Sequence, residues 1–297
     1  LAAAMHELAQ QIVSGLATGS VFASLALALV LIYRAMGIIN FAQGELAMFT
    51  TYIAWQLVQL GVPQWAAFFV TLVAAFLIGI TLERLVIRPV RHSSELSIVI
   101  VTLGLFIAIN GLAGWLWGFV VKPFPTPFST MPVTVAGVGF SQQDLGVIVV
   151  SLVMLALITL FFTRTNLGLA MRAAALYPEQ SQVLGIRVGW MLALGWGLAA
   201  VVGAVSGIMI APVVFLDPNM MQTVLVYAFA SAVLGGLESP LGAVVGGLLL
   251  GVAINLLGTY VTAVGNELRL ATALFIIVVV LLVRPAGLFG RVSVQRV

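Results

Sequence analysis

Gln11–Tyr33, QIVSGLATGSVFASLALALVLIY, is 23 residues without a charge, closed by Arg34. As a helix at 1.5 Å per residue it is about 34 Å long, enough to cross a hydrocarbon core of about 30 Å. The run is continuous rather than alternating, so it is no strand of a membrane barrel. In lipid the backbone must satisfy its own hydrogen bonds, and once the barrel is excluded only helices remain.

Further runs follow. Candidate spans lie at about 11–33, 38–60, 64–87, 96–118, 145–163, 190–212, 223–237, 241–257 and 270–283. The whole chain is 62% hydrophobic and 7% charged, whereas a soluble domain carries roughly a quarter of its residues as charges. The expected fold is all-α: one polytopic transmembrane bundle over 1–297, with eight or nine spans. An inverted repeat with broken or re-entrant helices fits its late segments.

Basic residues set the orientation. Arg34, Arg84, Arg88, Arg91, Arg164, Arg172, Arg187, Arg284, Arg291 and Arg296 fall on one side, leaving Lys122 and Arg269 on the other. The positive-inside rule makes the first side cytoplasmic, with the amino terminus outside. The net charge of +3 therefore reports topology and carries no expectation of nucleic-acid binding. Leu1–Gln10 lacks a basic n-region, so no cleavable signal is expected. The opening Leu1 points to an unusual start codon or a trimmed chain, with Met5 as another candidate start.

Cysteine is absent and the two histidines, His6 and His92, sit at segment edges. Disulfides and a thiolate metal site are excluded, no catalytic residue or metal is expected, and the chain reads as no enzyme. No Gly-rich Lys-Ser/Thr phosphate loop is present, so no nucleotide cofactor is expected on this chain. The loop 120–144, with Pro123, Pro125, Pro127, Pro132, Gly137 and Gly139, reads as an irregular extracytoplasmic cap.

Polar side chains at membrane depth are costly, which makes their inventory informative. Asn40, Gln43 and Gly44 share one helical face at the opening of the second span, and Glu45 lies above Phe41. One reading is a capping box, Asn40 as N-cap and Gln43 at the third position, with Glu45 at the positive end of the helix dipole. The other is a helix start aimed at a solute path. Glu238-x-x-x-Gly242 mirrors Asn40-x-x-x-Gly44 in the second half, so Glu238 and Gly242 join the candidate pathway. The glycines of 235–251 serve either tight helix packing or a broken helix lining that path. Glu83, Arg84 and Arg88 read as a salt-bridged helix end, and Trp55, Trp65, Trp115 and Trp117 as belt anchors. Asp217 and Glu267 read as external loop residues.

Between 164 and 188 runs a basic cytoplasmic loop. Pro178 with Glu179 reads as a helix start and Gly185 as a stop, giving a short helix along the membrane surface.

Four motifs, in order, resemble the branched-chain amino acid ABC permease family. They are Gly37-Ile-Ile-Asn-Phe-Ala-Gln-Gly-Glu-Leu-Ala-Met48; Gly168-x-x-x-Arg172-Ala173 with Leu184-Gly185-Ile186; Gly235-Gly236 with Ser239-Pro240, Gly242 and Gly246-Gly247; and Val283-Arg-Pro-Ala-Gly-Leu-Phe-Gly290. Two departures stand out: Gln43 where histidine is frequent, and a polar Glu179-Gln-Ser-Gln182.

The resemblance implies the shorter permease subunit of an importer in the bacterial inner membrane. Its partners would be a second permease subunit (heterodimer or homodimer), two ATP-binding cassette subunits that hydrolyse ATP, and an extracytoplasmic binding protein, all in membrane lipid. Asn40, Phe41, Gln43, Gly44 and Glu45 would line or shape the pathway. Gly168, Arg172, Glu179, Gly185 and Ile186 would form the ATPase-coupling loop. The alternatives are a permease for urea, short amides or another small polar solute, and a stand-alone secondary carrier, for which intramembrane charges are too few.

Overall fold

A computed structural model describes residues 2–91, 93–129, 131–135, 138–261, 268–284 and 286–290. His92, Gly137, Glu267, Pro285, Arg291 and Arg296 lie outside the described residues, as do the expectations resting on them.

Helix α1 (Ala2–Met36) carries the opening run, and α2 (Gln43–Gln59) follows after a six-residue break. Helix α3 (Gln64–Leu82) continues through a π-helical turn at Glu83–Ile87 into α4 (Arg88–Val90), and α5 (Glu95–Trp117) returns. Inside the cap, β1 (Val133–Val135) pairs antiparallel with β2 (Val138–Phe140), so a short ribbon stands where only irregular chain was expected. Then come α6 (Gln142–Arg164), α7 (Asn166–Leu176), α8 (Pro178–Val183), α9 (Val188–Val214), α10 (Met220–Gly235), α11 (Pro240–Tyr260) and α12 (Arg269–Val283).

Helix starts follow local chemistry. The hydroxyls of Ser94, Ser141 and Ser239 accept from the amides of Ser97, Asp144 and Gly242, capping α5, α6 and α11. Each occupies an amide that a helix start leaves without a partner.

Among the described residues six helices are long and apolar enough to cross a membrane: α1, α3 with its continuation, α5, α6, α9 and α11. Helices α2, α10 and α12, with 17, 16 and 15 residues, are only about 22–26 Å long. All nine expected spans are therefore helices, but three fall short of a full crossing.

Packing explains two of the short ones. Helix α1 packs on α11 and α3 on α9, while α2 lies against α9 and α10 against α1. Likewise α2 meets α5 and α10 meets α12. The halves α1–α2–α3–α5 and α9–α10–α11–α12 thus exchange equivalent partners, with α1 against α9 between them. The α1–α11 crossing brings backbones together. A Cβ on Gly15 would sit 2.8 Å from Val252 Cα, and one on Gly19 would sit 2.9 Å from the Gly247 oxygen. Small residues permit that approach, as dispersion in lipid requires.

Helices α1 and α9 form the buried centre, whereas α3, α5 and α6 turn most of their length outward. Arg34, Arg84, Arg88, Arg164, Arg172, Arg187 and Arg284 gather at one end of the bundle, tied together by contacts such as Arg88 to Gly189 and Arg84 over Trp190. Lys122, paired with Leu216, marks the opposite end.

Candidate functional site

Helix α1 stops where Gly37 takes φ 74°, and its amide donates to Tyr33. The chain turns through Asn40, whose Oδ1 accepts from Ala42 N at 3.0 Å. Helix α2 begins only at Gln43 and has no side-chain cap. The capping-box expectation is thus corrected, because Asn40 closes a turn before the helix. Its Nδ2 donates to Gln43 Oε1 at 3.4 Å.

Gln43 reaches another helix, its Nε2 donating to the Ala199 carbonyl of α9 at 2.9 Å. Ala199 is eleven residues past Val188, so α2 starts about 16 Å inward from the arginine-rich end of α9. It is a helix that begins inside the bundle.

Successive residues in a helix are rotated by about 100°, so neighbours point in different directions. Gln43 meets α9, Gly44 leaves room for Leu225 and the Met221 carbonyl of α10, and Glu45 turns to α5. Asn40, Gln43 and Glu45 are buried, the last 1% exposed, and Phe41 is half-buried.

Glu45 Oε2 accepts from Asn110 Nδ2 at 3.2 Å. The same nitrogen lies 2.8 Å from the Pro218 carbonyl and 3.3 Å from Asn219 Oδ1, so its two hydrogens serve three acceptors. Asn219 also accepts from Gln222 Nε2 at 2.9 Å, and its amide donates to Asp217 Oδ1 at 2.7 Å. Sequence reasoning missed Asn110, Asn219 and Gln222. Asn219 and Gln222 are exposed, so a polar seam runs from buried Glu45 to solvent-accessible side chains at the start of α10.

That start is the counterpart of Asn40–Glu45. The first turns of α2 and α10 lie side by side inside the bundle, as Gly44 against Met221 shows. The expected counterpart, Glu238 with Gly242, is corrected: it lies in the α10–α11 turn at the arginine-rich end. Glu238 is exposed there, and Gly242 packs backbone to backbone on Gly235.

The loop 164–188 holds two helices where one was expected. Thr165 caps α7 by accepting from Gly168 N at 2.9 Å. Pro178 then forces Tyr177 out of helical geometry, to φ −137° and ψ 68°, and α8 starts at the proline. Gly185, at φ 82°, ends the element as its sequence implied. Gly168 is buried on the end of α6, and Arg172 points into a cavity under α7. Glu179 and Gly185 are exposed and Ile186 half-buried. Beside them Val183 is 88% and Leu184 79% exposed.

The salt-bridged helix end is present: Arg88 Nη2 donates to Glu83 Oε2 at 2.9 Å. The π-helical turn closes bonds five residues apart and stacks this i, i+5 pair. Arg88 Nη2 also donates to the Gly189 carbonyl at 2.6 Å, and Arg84 stacks 3.5 Å over Trp190. Trp117 is corrected from belt anchor to packing residue: it stacks on Tyr52 at 4.8 Å and donates to Gln56 Oε1. Among the described residues no cluster of three His, Cys, Asp or Glu could hold a metal.

Comparison with known proteins decides the family. Residues 11–283 match the family described as branched-chain amino acid transport system / permease component. The chain belongs to that family. It is 32% identical to the high-affinity branched-chain amino acid transport system permease protein BraD of Pseudomonas aeruginosa, over 97% of each chain. It is 31% identical to the permease protein LivH of Escherichia coli, again over 97% of each. Among solved structures, PsaBC from Streptococcus pneumoniae in complex with Fab aligns over 92% of this chain and 91% of that one, at 14% identity and a TM-score of 0.49. The chain is thus an ABC-type permease component and, with six helices among the described residues long and apolar enough to cross a membrane, a multi-pass protein of the inner membrane. The relatives named are transport permeases.

Proposed function

We propose that this chain, as a single permease domain, conducts branched-chain or related hydrophobic amino acids inward. It is driven by two ATP-binding cassette subunits, supplied by an extracytoplasmic binding protein and paired with a second permease subunit. The names of its relatives support the substrate class. This chain binds no cofactor of its own, and ATP is hydrolysed by the partners.

Two short helices starting inside the bundle support a pathway at Asn40–Glu45 and Asp217–Gln222. The turns before them already hold several of the first amides, Gln43 N on the Asn40 carbonyl and Met220 N on the Asp217 carbonyl, while the remaining amides of each first turn have no carbonyl a turn earlier in the helix. Helix N-termini so placed favour anionic groups such as a substrate carboxylate. The exposed Asn219 and Gln222 form the wall that such a solute meets, beside Glu45 and Asn110.

The observation that carries the importer reading is the tip of α8. Val183 and Leu184 stand almost fully exposed between Glu179 and Arg187, at the end where the positive-inside rule places cytoplasm. Exposed apolar side chains rimmed by charge mark a protein contact, and Gly185 sets their direction through its left-handed turn.

The test is uptake of radiolabelled leucine by proteoliposomes holding this chain, a sister permease, both ATPases and the binding protein. Uptake that requires ATP and all five components is expected. Uptake by this chain alone on a cation gradient would overturn the reading, and uptake of urea without leucine would overturn its substrate.

A further inference from the structure

At the arginine-rich end a cavity of about 270 Å³ opens between α1, α6, α7, α9 and the start of α11. Its wall is apolar, with Leu27, Ile158, Phe162 and Met171 among its lining. Its polar groups are Thr159, Thr163, Ser239 and two guanidinium groups, those of Arg34 and Arg172, with no carboxylate. Arg172 Nε is buried without a hydrogen-bond partner. Among the described residues the ion pair formed at this end is Arg88 with Glu83, so neither Arg34 nor Arg172 has a carboxylate partner.

Arg34 and Arg172 are half-buried, and a guanidinium nitrogen buried without a partner beside a largely apolar wall favours an anion there. A free inorganic anion would leave the apolar wall uncovered. Leu27 lies seven residues before Arg34 on α1, so the apolar part extends about 10 Å from the cationic rim toward the bilayer interior. One molecule answers both demands. Basic pockets between spanning helices on the cytoplasmic side suit anionic lipid headgroups.

We infer that this cavity is a binding site for one anionic phospholipid of the cytoplasmic leaflet, its phosphate on Arg34 and Arg172 and an acyl chain along Leu27, Ile158 and Met171. The lipid bridges α7 to α1, so it holds the segment that ends at the exposed tip of α8 against the bundle core.

The experiment is native mass spectrometry of the purified full-length chain titrated with phosphatidylglycerol, phosphatidylcholine or inorganic phosphate. One tightly held phosphatidylglycerol per chain is expected, with phosphatidylcholine weaker and phosphate unable to displace it. Each arginine near a lipid phosphate contributes a factor of about five to affinity, so the double variant R34Q/R172Q weakens binding roughly 30-fold. The control double variant R164Q/R284Q, which removes two exposed charges at the same end, keeps the affinity. Should R34Q/R172Q not fold, Ala175→Trp plugs the cavity with both arginines kept and must still abolish the tight site. Equal affinity for both lipids, displacement by phosphate, or unchanged binding in either cavity variant overturns the inference.

Discussion

The side-chain amide of Asn110 binds the carboxylate of Glu45 at 3.2 Å and the carbonyl of Pro218 at 2.8 Å, joining α5 to the first turn of α2 and to the start of α10. One nitrogen thus fixes three separate segments. Asn110→Ala leaves a buried carboxylate and a carbonyl without their donor, at about 1–3 kcal/mol. Asn110→Asp sets a second carboxylate against Glu45 and is expected to be worse. Thermal unfolding in detergent checks the order wild type, Ala, Asp; an Asp variant as stable as wild type removes the bond from the account.

Gly185 has open space around the position of a Cβ but a φ of 82°. Backbone strain, rather than crowding, is therefore what a substitution meets. Gly185→Ala costs about 1–2 kcal/mol in that region, while asparagine tolerates it better. ATP-dependent uptake falls in Gly185→Ala and is largely retained in Gly185→Asn. Equal loss in both would show that the side chain, not the turn, matters.

Val183 and Leu184 touch little within the chain. Val183→Asp and Leu184→Asp shift unfolding by no more than about 0.5 kcal/mol, as surface changes do. They are nonetheless expected to abolish co-purification with the ATPase subunits. Intact co-purification refutes the docking assignment.

Glu83 is buried and Arg88 about one-third exposed, bonded across the π-helical turn. Removing either partner strands the other, so E83Q and R88Q each destabilise. The double variant is less damaging than their sum, with a coupling of about 0.5–3 kcal/mol in a double-mutant cycle. Additivity would mean that the pair holds nothing.

Glycines divide by environment. Gly19→Leu drives a side chain into the α11 backbone and is expected to cost about 1–3 kcal/mol or more. Gly104→Leu, with nothing within 4 Å, is tolerated. Membrane yield and melting of both variants, side by side, check the contrast.

Much of this architecture is legible in the chain because lipid leaves few options. Apolar runs locate the helices, the arginines choose an end, and Pro178 and Gly185 bracket α8. The interior start of α2 is not legible, since Ile38 and Ile39 are as apolar as the helix after them; only packing on α9 decides where winding begins. The π-helical turn leaves no trace in composition, because it is a slip of hydrogen-bond register. Asn110 could have been found: a lone asparagine within an apolar 23-residue helix needs a partner. Asn219 carries no sequence signal of its own, and its contacts with Asn110 and Gln222 emerge only when α5 and the start of α10 are side by side. The second half was misaligned for a related reason, Glu238-x-x-x-Gly242 copying the spacing of the first half without its depth.

The crossing at Gly15 and Gly19 limits how this protein can move. Main chains touching without intervening side chains behave like meshed gears, and sliding α1 half a turn along α11 would jam Val252 against a bulkier neighbour of Gly15. Any opening or closing is therefore expected to swing α1 and α11 together as one lever, with the chain breaks that adjoin them, 37–42 after α1 and 236–239 before α11, free to bend.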